Sequence, residues 1–492
     1  MKKVVTFLSV AVMLNACVPI NKITKRAPAT YRPAYHYTSD KNWVNDPNGM
    51  VFVAGEYHLF YQYNPSGDKW GHMSWGHAVS KDLHTWQELA LAIPETINAD
   101  SSSTMVFSGS AVVDSLNTSG LFENGFKEGM VAIYTAHIDK KGAGLAQRQS
   151  LAYSADKGRT WKFYAKNPVL DIGLADFRDP NVFMHEGKWK MIVAKPLEFM
   201  VQIYESTNLK DWKLLSEFGN MGDVSKIWEC PSLFKVPIEN SDKSKWLMLV
   251  SSAGEDTEFT GMQYFVGDFD GKTFVPEKQD GVLRVDYGKD FYAAIPFNNL
   301  PAKDKNPIII GWESSWNYAG EIPSEGRRGM FSMPRKLSLV VENGKYRLVQ
   351  KPVFAENIHT KILTLKASEL SKEKTIEMPG NSYRLGISID LANAKGISID
   401  LLKNDEEKSV LTYDLMTQML SFDRTKSGKI DFSKKFPSIE RMRVIPQNGI
   451  LKLDVFVDNS IVEVFANDGK EVLTDLVFPS KKGGSVVISL LK

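Results

Sequence analysis

Trp43-Val44-Asn45-Asp46-Pro47-Asn48-Gly49 is the stretch on which the reading of this chain turns. It sets an indole, an amide and a carboxylate beside a rigid proline and a permissive glycine. Taken alone, Asp-Pro-Asn-Gly is a good reverse turn, because proline presets φ and glycine accepts φ > 0. Two later stretches share its form. Phe177-Arg178-Asp179-Pro180 and Trp228-Glu229-Cys230-Pro231 also place an acidic residue before Pro or Cys-Pro, with an apolar run following. Three matching turns, each with a carboxylate, predict a repeated unit that presents acids to one place.

The surrounding chain repeats as well. From Tyr35 to about Gly344, short apolar or alternating runs are separated by Gly, Asn, Asp and Pro, the texture of successive strands. Heads recur at Asp46-Pro47-Asn48, Phe107-Ser108-Gly109-Ser110, Arg178-Asp179-Pro180, Glu229-Cys230-Pro231 and Phe291-Tyr292-Ala293-Ala294. Tight turns such as Ala54-Gly55-Glu56 and Glu186-Gly187-Lys188 then lead into a second strand. Tails recur at Ser80 to Trp86, Ser154 to Trp161, Ser206 to Trp212 and, more weakly, Gly267 to Phe274, each a polar turn closed by an aromatic. A β-rich repeat of roughly 50–70 residues is blade-sized. Five such units predict a five-bladed β-propeller over residues 33–350, closed in a ring that leaves few free sheet edges. The heads then start the innermost strands and line the central channel.

After Pro352 the head and tail motifs stop. Strict alternation follows, clearest in Leu451-Lys452-Leu453-Asp454-Val455-Phe456-Val457 and, after a turn, in Ile461-Val462-Glu463-Val464-Phe465. Period two predicts strands with one buried and one wet face. Residues 351–492 therefore read as an antiparallel β-sandwich that supports the site or touches carbohydrate.

The ends and the composition set bounds. Lys2 and Lys3 precede an apolar run from Val4 to Met13, too short for a permanent membrane span, and Leu14-Asn15-Ala16-Cys17 follows. Residues 1–17 resemble a bacterial lipoprotein signal with Cys17 as the lipidated residue. Residues 18–32 read as a tether, which places the protein on the bacterial cell envelope, in the periplasm or at the surface. The chain's other cysteine is Cys230, read as a small buried residue. The 60 basic and 58 acidic side chains leave a net charge of +2, which gives no pull towards nucleic acid or an anionic membrane.

Three gathered acids permit glycoside hydrolysis. That reaction needs carboxyl groups on either side of the scissile bond, one to protonate the leaving oxygen and one to attack or to activate water. A short Asp held by a turn suits a nucleophile. Glu229, flanked by Trp228 and Cys230, is expected in an apolar setting that disfavours its charge and suits a general acid. Asp179, next to Arg178, is expected as a paired, ionised carboxylate. The aromatics Trp43, Trp70, Trp75, Phe107 and Trp312 offer walls for a sugar ring, and Asn45, Gln62 and Ser108 can bond its hydroxyls.

Trp43 to Gly49, Tyr61-Gln62-Tyr63-Asn64-Pro65, Trp75-Gly76-His77-Ala78, Phe107 to Ser110, Arg178-Asp179-Pro180 and Trp228 to Pro231 together resemble glycoside hydrolase family 32, the β-fructofuranosidases. The likeness is collinear from Tyr35 onwards. It implies a propeller with a sandwich, and a retaining double displacement. Asp46 would be the nucleophile, Glu229 the general acid/base and Asp179 the transition-state stabiliser. Asn45, Asn48, Gln62, Trp70, Phe107, Ser108, Arg178 and Trp312 would line a fructosyl subsite. The order Trp-Gly-His-Met-Ser-Trp from Trp70 departs from the family form and bears on leaving-group preference. No metal or organic cofactor is implied, and the partner is a fructan or fructo-oligosaccharide. A non-catalytic fructan-binding lipoprotein and a fructosyltransferase are the alternative readings. Exo or endo action, β-2,1 or β-2,6 preference and oligomeric state stay open.

Overall fold

The structure is a computed structural model that describes residues 31–491 apart from 124, 254–260 and 393. Cys17, the expected signal and most of the expected tether lie outside the described residues.

Local turn chemistry explains the hairpins. Ala54-Gly55 and Glu186-Gly187 hold positive φ at both positions, 51° and 85° in the first pair and 50° and 75° in the second. Paired positive φ is the type I′ twist that matches two antiparallel strands. Repeating such hairpins builds five sheets of four or five strands. Their innermost strands are Asn42–Val53, Ser103–Val113, Arg178–His185, Ile227–Pro237 and Tyr292–Pro296. Each inner strand touches the next, and the fifth touches the first, so the sheets form a ring of five blades. Parallel pairing of Asn42 and Trp43 with Arg327 and Arg328 latches the first blade to a late segment of the chain.

Apolar residues from adjacent blades pack between them. Phe60 and Trp75 of blade one meet Val106 and Met130 of blade two. Ile192 and Ile203 of blade three meet Trp228 and Leu233 of blade four. Val44 and Leu59 of blade one meet Ile308 and Phe331 of blade five, which closes the ring. The polar tails are stapled by side chain–backbone bonds. Asp82 accepts from the His84 and Thr85 amides at 2.8 and 2.7 Å, and Asn208 accepts from Lys210 and Asp211 at 3.0 and 2.9 Å. The closing Trp161 sits edge-on to Phe60 of the neighbouring blade, centroids 5.5 Å apart.

Blade five ends with Lys345–Pro352, and the next strand, Thr360–Lys366, opens a two-sheet sandwich. Ser382–Asp390 alternates buried and half-buried residues, and its Leu385, Ile387 and Ile389 face Ile399, Leu411 and Phe422 across the sandwich core. Ile461–Ala466 departs from the expected wet face, since all six residues are buried. The propeller covers the face that faces away from the sandwich core. Ile461 packs with Tyr318 and Met330, and Phe465 with Met333. Glu463 receives the Arg335 guanidinium.

Candidate active site

All five inner strands break register at the same height. Pairing skips between Asn45 and Pro47, Val106 and Gly109, Arg178 and Asn181, Glu229 and Ser232, and Tyr292 and Ile295. These are β-bulges, which free residues from the ladder and re-aim side chains. The residues left over are Asp46, Phe107-Ser108, Asp179-Pro180, Cys230-Pro231 and Ala293-Ala294. Asp179, Cys230 and Ala293 adopt positive φ of 66°, 46° and 54°. A non-glycine residue held there costs on the order of 1–3 kcal/mol and persists only where its surroundings enforce it. The enforcing bonds are present: the Asp179 amide donates to Thr135 Oγ1 at 3.0 Å, and the Ala293 amide to Ser251 Oγ at 3.1 Å.

The bulges bring the three acids together. Cys230 lies between two of them, its thiol 3.7 Å from Asp46 Oδ2 and 3.6 Å from Asp179 Oδ2, while its amide donates to Asp179 Oδ2 at 2.9 Å. Ser108 Oγ donates to Asp46 Oδ2 at 2.8 Å. The Arg178 Nε donates to Glu229 Oε1 at 3.0 Å, and the Tyr292 hydroxyl donates to Glu229 Oε2 at 2.6 Å.

This differs from the neighbours expected in two ways. Glu229 does not sit in an apolar setting made by Trp228. That indole is fully buried between blades three and four and donates to the Asp223 carbonyl, so Glu229 meets a guanidinium and a phenol instead. Arg178 does not hydrogen-bond its sequence neighbour Asp179; besides Glu229 it donates to Asp176 and Gln147 at 2.8 and 3.3 Å. One cation thus serves a pocket with three acids. Burial pushes the Asp46 carboxyl up, with the Glu229 charge adding to it. Asp179 rises to about 7, driven by burial and by Glu229 and Asp46, against the pull of Arg178.

The binding residues divide. Asn45 accepts from the Trp43 indole at 2.7 Å, and Gln62 donates to the Val106 carbonyl at 3.0 Å beside the second bulge. Asn48 Oδ1 accepts from the Gly109 amide at 3.3 Å. Its Nδ2, like Asp46 Oδ1, is buried without a hydrogen-bond partner among the described residues. Phe107 stacks on His137, centroids 4.3 Å apart at 9°, and Trp70 stands edge-on to it, about half exposed. Trp75 is core; its indole donates to the Phe107 carbonyl and so fixes the second bulge. Trp312 does not line the opening. It is wholly buried behind Trp43, and the half-buried Trp316 stacks on Trp43 and lies tilted to Trp312.

Tyr292, Thr135 and Cys230 complete the constellation beyond the residues singled out from sequence. Tyr292 was visible as part of the fifth head. Thr135 had no signal, because it comes from the middle of a second strand and is aimed by the bulge opposite.

The pattern "Glycosyl hydrolases family 32 N-terminal domain" matches residues 36–352, and "Glycosyl hydrolases family 32 C terminal" matches residues 351–491. The chain belongs to glycosyl hydrolase family 32. This family 32 chain is therefore a glycosidase. It is 43% identical over 463 residues to a levanase of Bacillus subtilis, covering 92% of this chain and 67% of that one. It is 39% identical to an extracellular exo-inulinase of Aspergillus niger, covering 92% and 90%. Its fold superposes on an exo-inulinase crystal structure from Aspergillus awamori with a TM-score of 0.84 at 35% identity, covering 94% and 95%. A β-fructofuranosidase from Schwanniomyces occidentalis complexed with fructosyl-erythritol gives 0.84 at 33%, covering 94% of each.

Proposed function

We infer that this family 32 glycosidase cleaves β-fructofuranosyl linkages of fructans with retention of configuration. The observation that carries the reading is the convergence of Asp46, Asp179 and Glu229 on one pocket around Cys230. Asp46 acts as nucleophile. Ser108 steadies its Oδ2. Glu229, oriented by Arg178 and Tyr292, gives a proton to the leaving oxygen and later takes one from water. The pocket concentrates more carboxylate than Arg178 offsets. A sugar gaining positive charge in the transition state supplies what is lacking, which is where Asp179 contributes. Asn45, Asn48, Gln62 and Ser108 offer amide and hydroxyl groups to the fructosyl ring, with Trp70 and Phe107 as its outer wall.

Reducing-sugar release from levan, inulin and sucrose tests this directly. Asp46→Asn should lower kcat by about 10⁴–10⁶-fold while the protein stays folded. Glu229→Gln should lose about 10²–10⁴-fold on natural substrates and much less on fructosides with good leaving groups. Full activity without Asp46, or equal Glu229→Gln loss on every substrate, overturns the assignment. Sugar released without any fructose appearing in water points to the transferase reading.

The relatives named extracellular support a site of action outside the cytoplasm. The Leu14-Asn15-Ala16-Cys17 pattern supports a lipid anchor at Cys17. Labelled palmitate should enter the wild-type chain and not Cys17→Ala. Equal labelling of both removes the anchor.

A further inference from the structure

The propeller also meets the sandwich through buried charge. Glu313 ends the blade-five strand Ile308–Glu313 and is fully buried. Both of its carboxylate oxygens lack a hydrogen-bond partner among the described residues. An unpaired buried carboxylate costs several kcal/mol unless a proton or a cation neutralises it. Two side chains face it. His36, from the segment ahead of the first blade, places Nε2 3.9 Å from Glu313 Oε1. Glu463, from the sandwich strand Ile461–Ala466, places Oε2 3.2 Å from the same His36 nitrogen.

We propose that His36 Nε2, Glu313 and Glu463 form a divalent cation site, best suited to zinc, that joins three distant parts of the chain. One ligand atom from each lies within 4.8 Å of the others. Ligands about 2.1 Å from a tetrahedral zinc ion stand about 3.4 Å apart, close to the 3.2 and 3.9 Å separations to His36 Nε2.

The surrounding groups match a metal-binding histidine. His36 Nδ1 lies 3.0 Å from Asp458 Oδ2, the carboxylate–histidine pairing that fixes the tautomer and turns Nε2 to the ion. Asp458 is itself held by the amides of Ala34, Tyr35 and His36 and by the Ser382 hydroxyl. Glu463 is steadied at its other oxygen by Arg335 Nη2, 2.6 Å away. Charge favours an ion as well. Glu313, Glu463, Asp458 and Asp286 bring four carboxyl groups to a fully buried cluster in which Arg335 is paired with Asp286 and Glu463. A divalent ion on a neutral His36 offsets them better than a protonated imidazole alone. The imidazole with carboxylates suits zinc, with manganese as the harder competitor. The sequence hid this site because its ligands lie hundreds of residues apart.

The ion would be structural, since it touches none of the residues around Cys230. The test uses the full chain, stripped with a strong chelator, loaded with zinc and dialysed against metal-free buffer. Elemental analysis should find about one zinc per chain, held by three protein ligands with water in the fourth position. Zinc at about ten times its dissociation constant should raise the thermal midpoint by about 1–2 °C, the shift for about 1.4 kcal/mol in a chain of this length. Glu313→Gln keeps the shape, removes the charge and should lose both responses while fructan hydrolysis stays near wild type at the assay temperature. Wild-type protein that retains no zinc and shows no shift overturns the proposal, whether or not the variant folds. Equal zinc retention by folded Glu313→Gln overturns it too. Manganese retained in place of zinc overturns the metal assigned here.

Discussion

At the residue scale the site is a study in unequal neighbours. Asp46 and Asp179 share the Cys230 thiol, while Arg178 turns to Glu229. The elevation of Asp179 to about 7 has a consequence for stability. Between about pH 4 and 7 the folded state holds a proton that an unfolded Asp, with its ordinary value near 3.9, has released. Stability contributed by the protonated group is complete at low pH and is lost as pH rises through that window. Asp179→Asn removes the loss. Its melting temperature should exceed that of the wild type by about 1–2 °C at pH 8, the shift for about 1 kcal/mol in a chain of this length, and by little at pH 4. Melting curves at the two pH values check this, and an equal gain at both would remove like-charge crowding as its cause. Activity should fall in the same variant, the usual exchange between a stable pocket and a working one.

At the scale of elements, the five bulges matter more than the strands that carry them. Each turns a residue out of the ladder towards the axis, and the second brings Phe107 and Ser108 with it. Gly109 ends that bulge. A Cβ there would stand 2.2 Å from the Ile133 carbonyl oxygen and 2.6 Å from Tyr134 Cα, both backbone. The neighbouring strand cannot yield as a flexible side chain would. Gly109→Ala should therefore push Ser108 from Asp46 and cost about 1–3 kcal/mol of stability, the range for overpacking. Urea denaturation and kcat together check it: a variant with unchanged kcat and midpoint would mean that the strands part freely. The head positions were readable from the sequence, where the acid-Pro stretches looked like turns, but the structure makes them bulges within continuous strands. Their effect was not readable. Trp312 and Trp316 lie close in sequence, and only the packing of Trp312 behind Trp43 decides which ring meets solvent. Likewise Trp228 is adjacent to Glu229 in sequence, yet strand alternation sends it to the opposite side.

At the scale of the whole molecule, the propeller and the sandwich are held by paired charge as well as by apolar contact. Arg335, on the blade-five strand Arg335–Glu342, lies over the Phe291 ring at 4.0 Å and reaches Asp286 at 2.9 Å and Glu463 at 2.6 Å. Removing it leaves two buried carboxylates without their cation, a loss of about 3–5 kcal/mol. Arg335→Met should lower the chemical-denaturation midpoint by a corresponding amount, with little change in KM for the fraction that remains folded. A cost no greater than that of a surface substitution would assign the cohesion of the two parts to apolar packing. The loop from Asp286 to Asp290 adds to this seam: Asp286 accepts from the Thr474 amide and Asp290 from the Leu476 amide.

The sequence by itself determined the all-β character, the five heads and the identity of the three acids. Those signals are local, since turn residues set φ and alternation sets the strand face within a few positions. The tertiary structure alone decided what each charge meets. His36 and Glu463 are 427 residues apart, and Arg178 and Glu229 are 51 apart. Their energies depend on burial and on Coulomb interactions across a few ångströms, which chain order does not encode. The strand Ile461–Ala466 follows the same logic. Its alternation fixed two faces, but only the propeller packed against it made both of them dry.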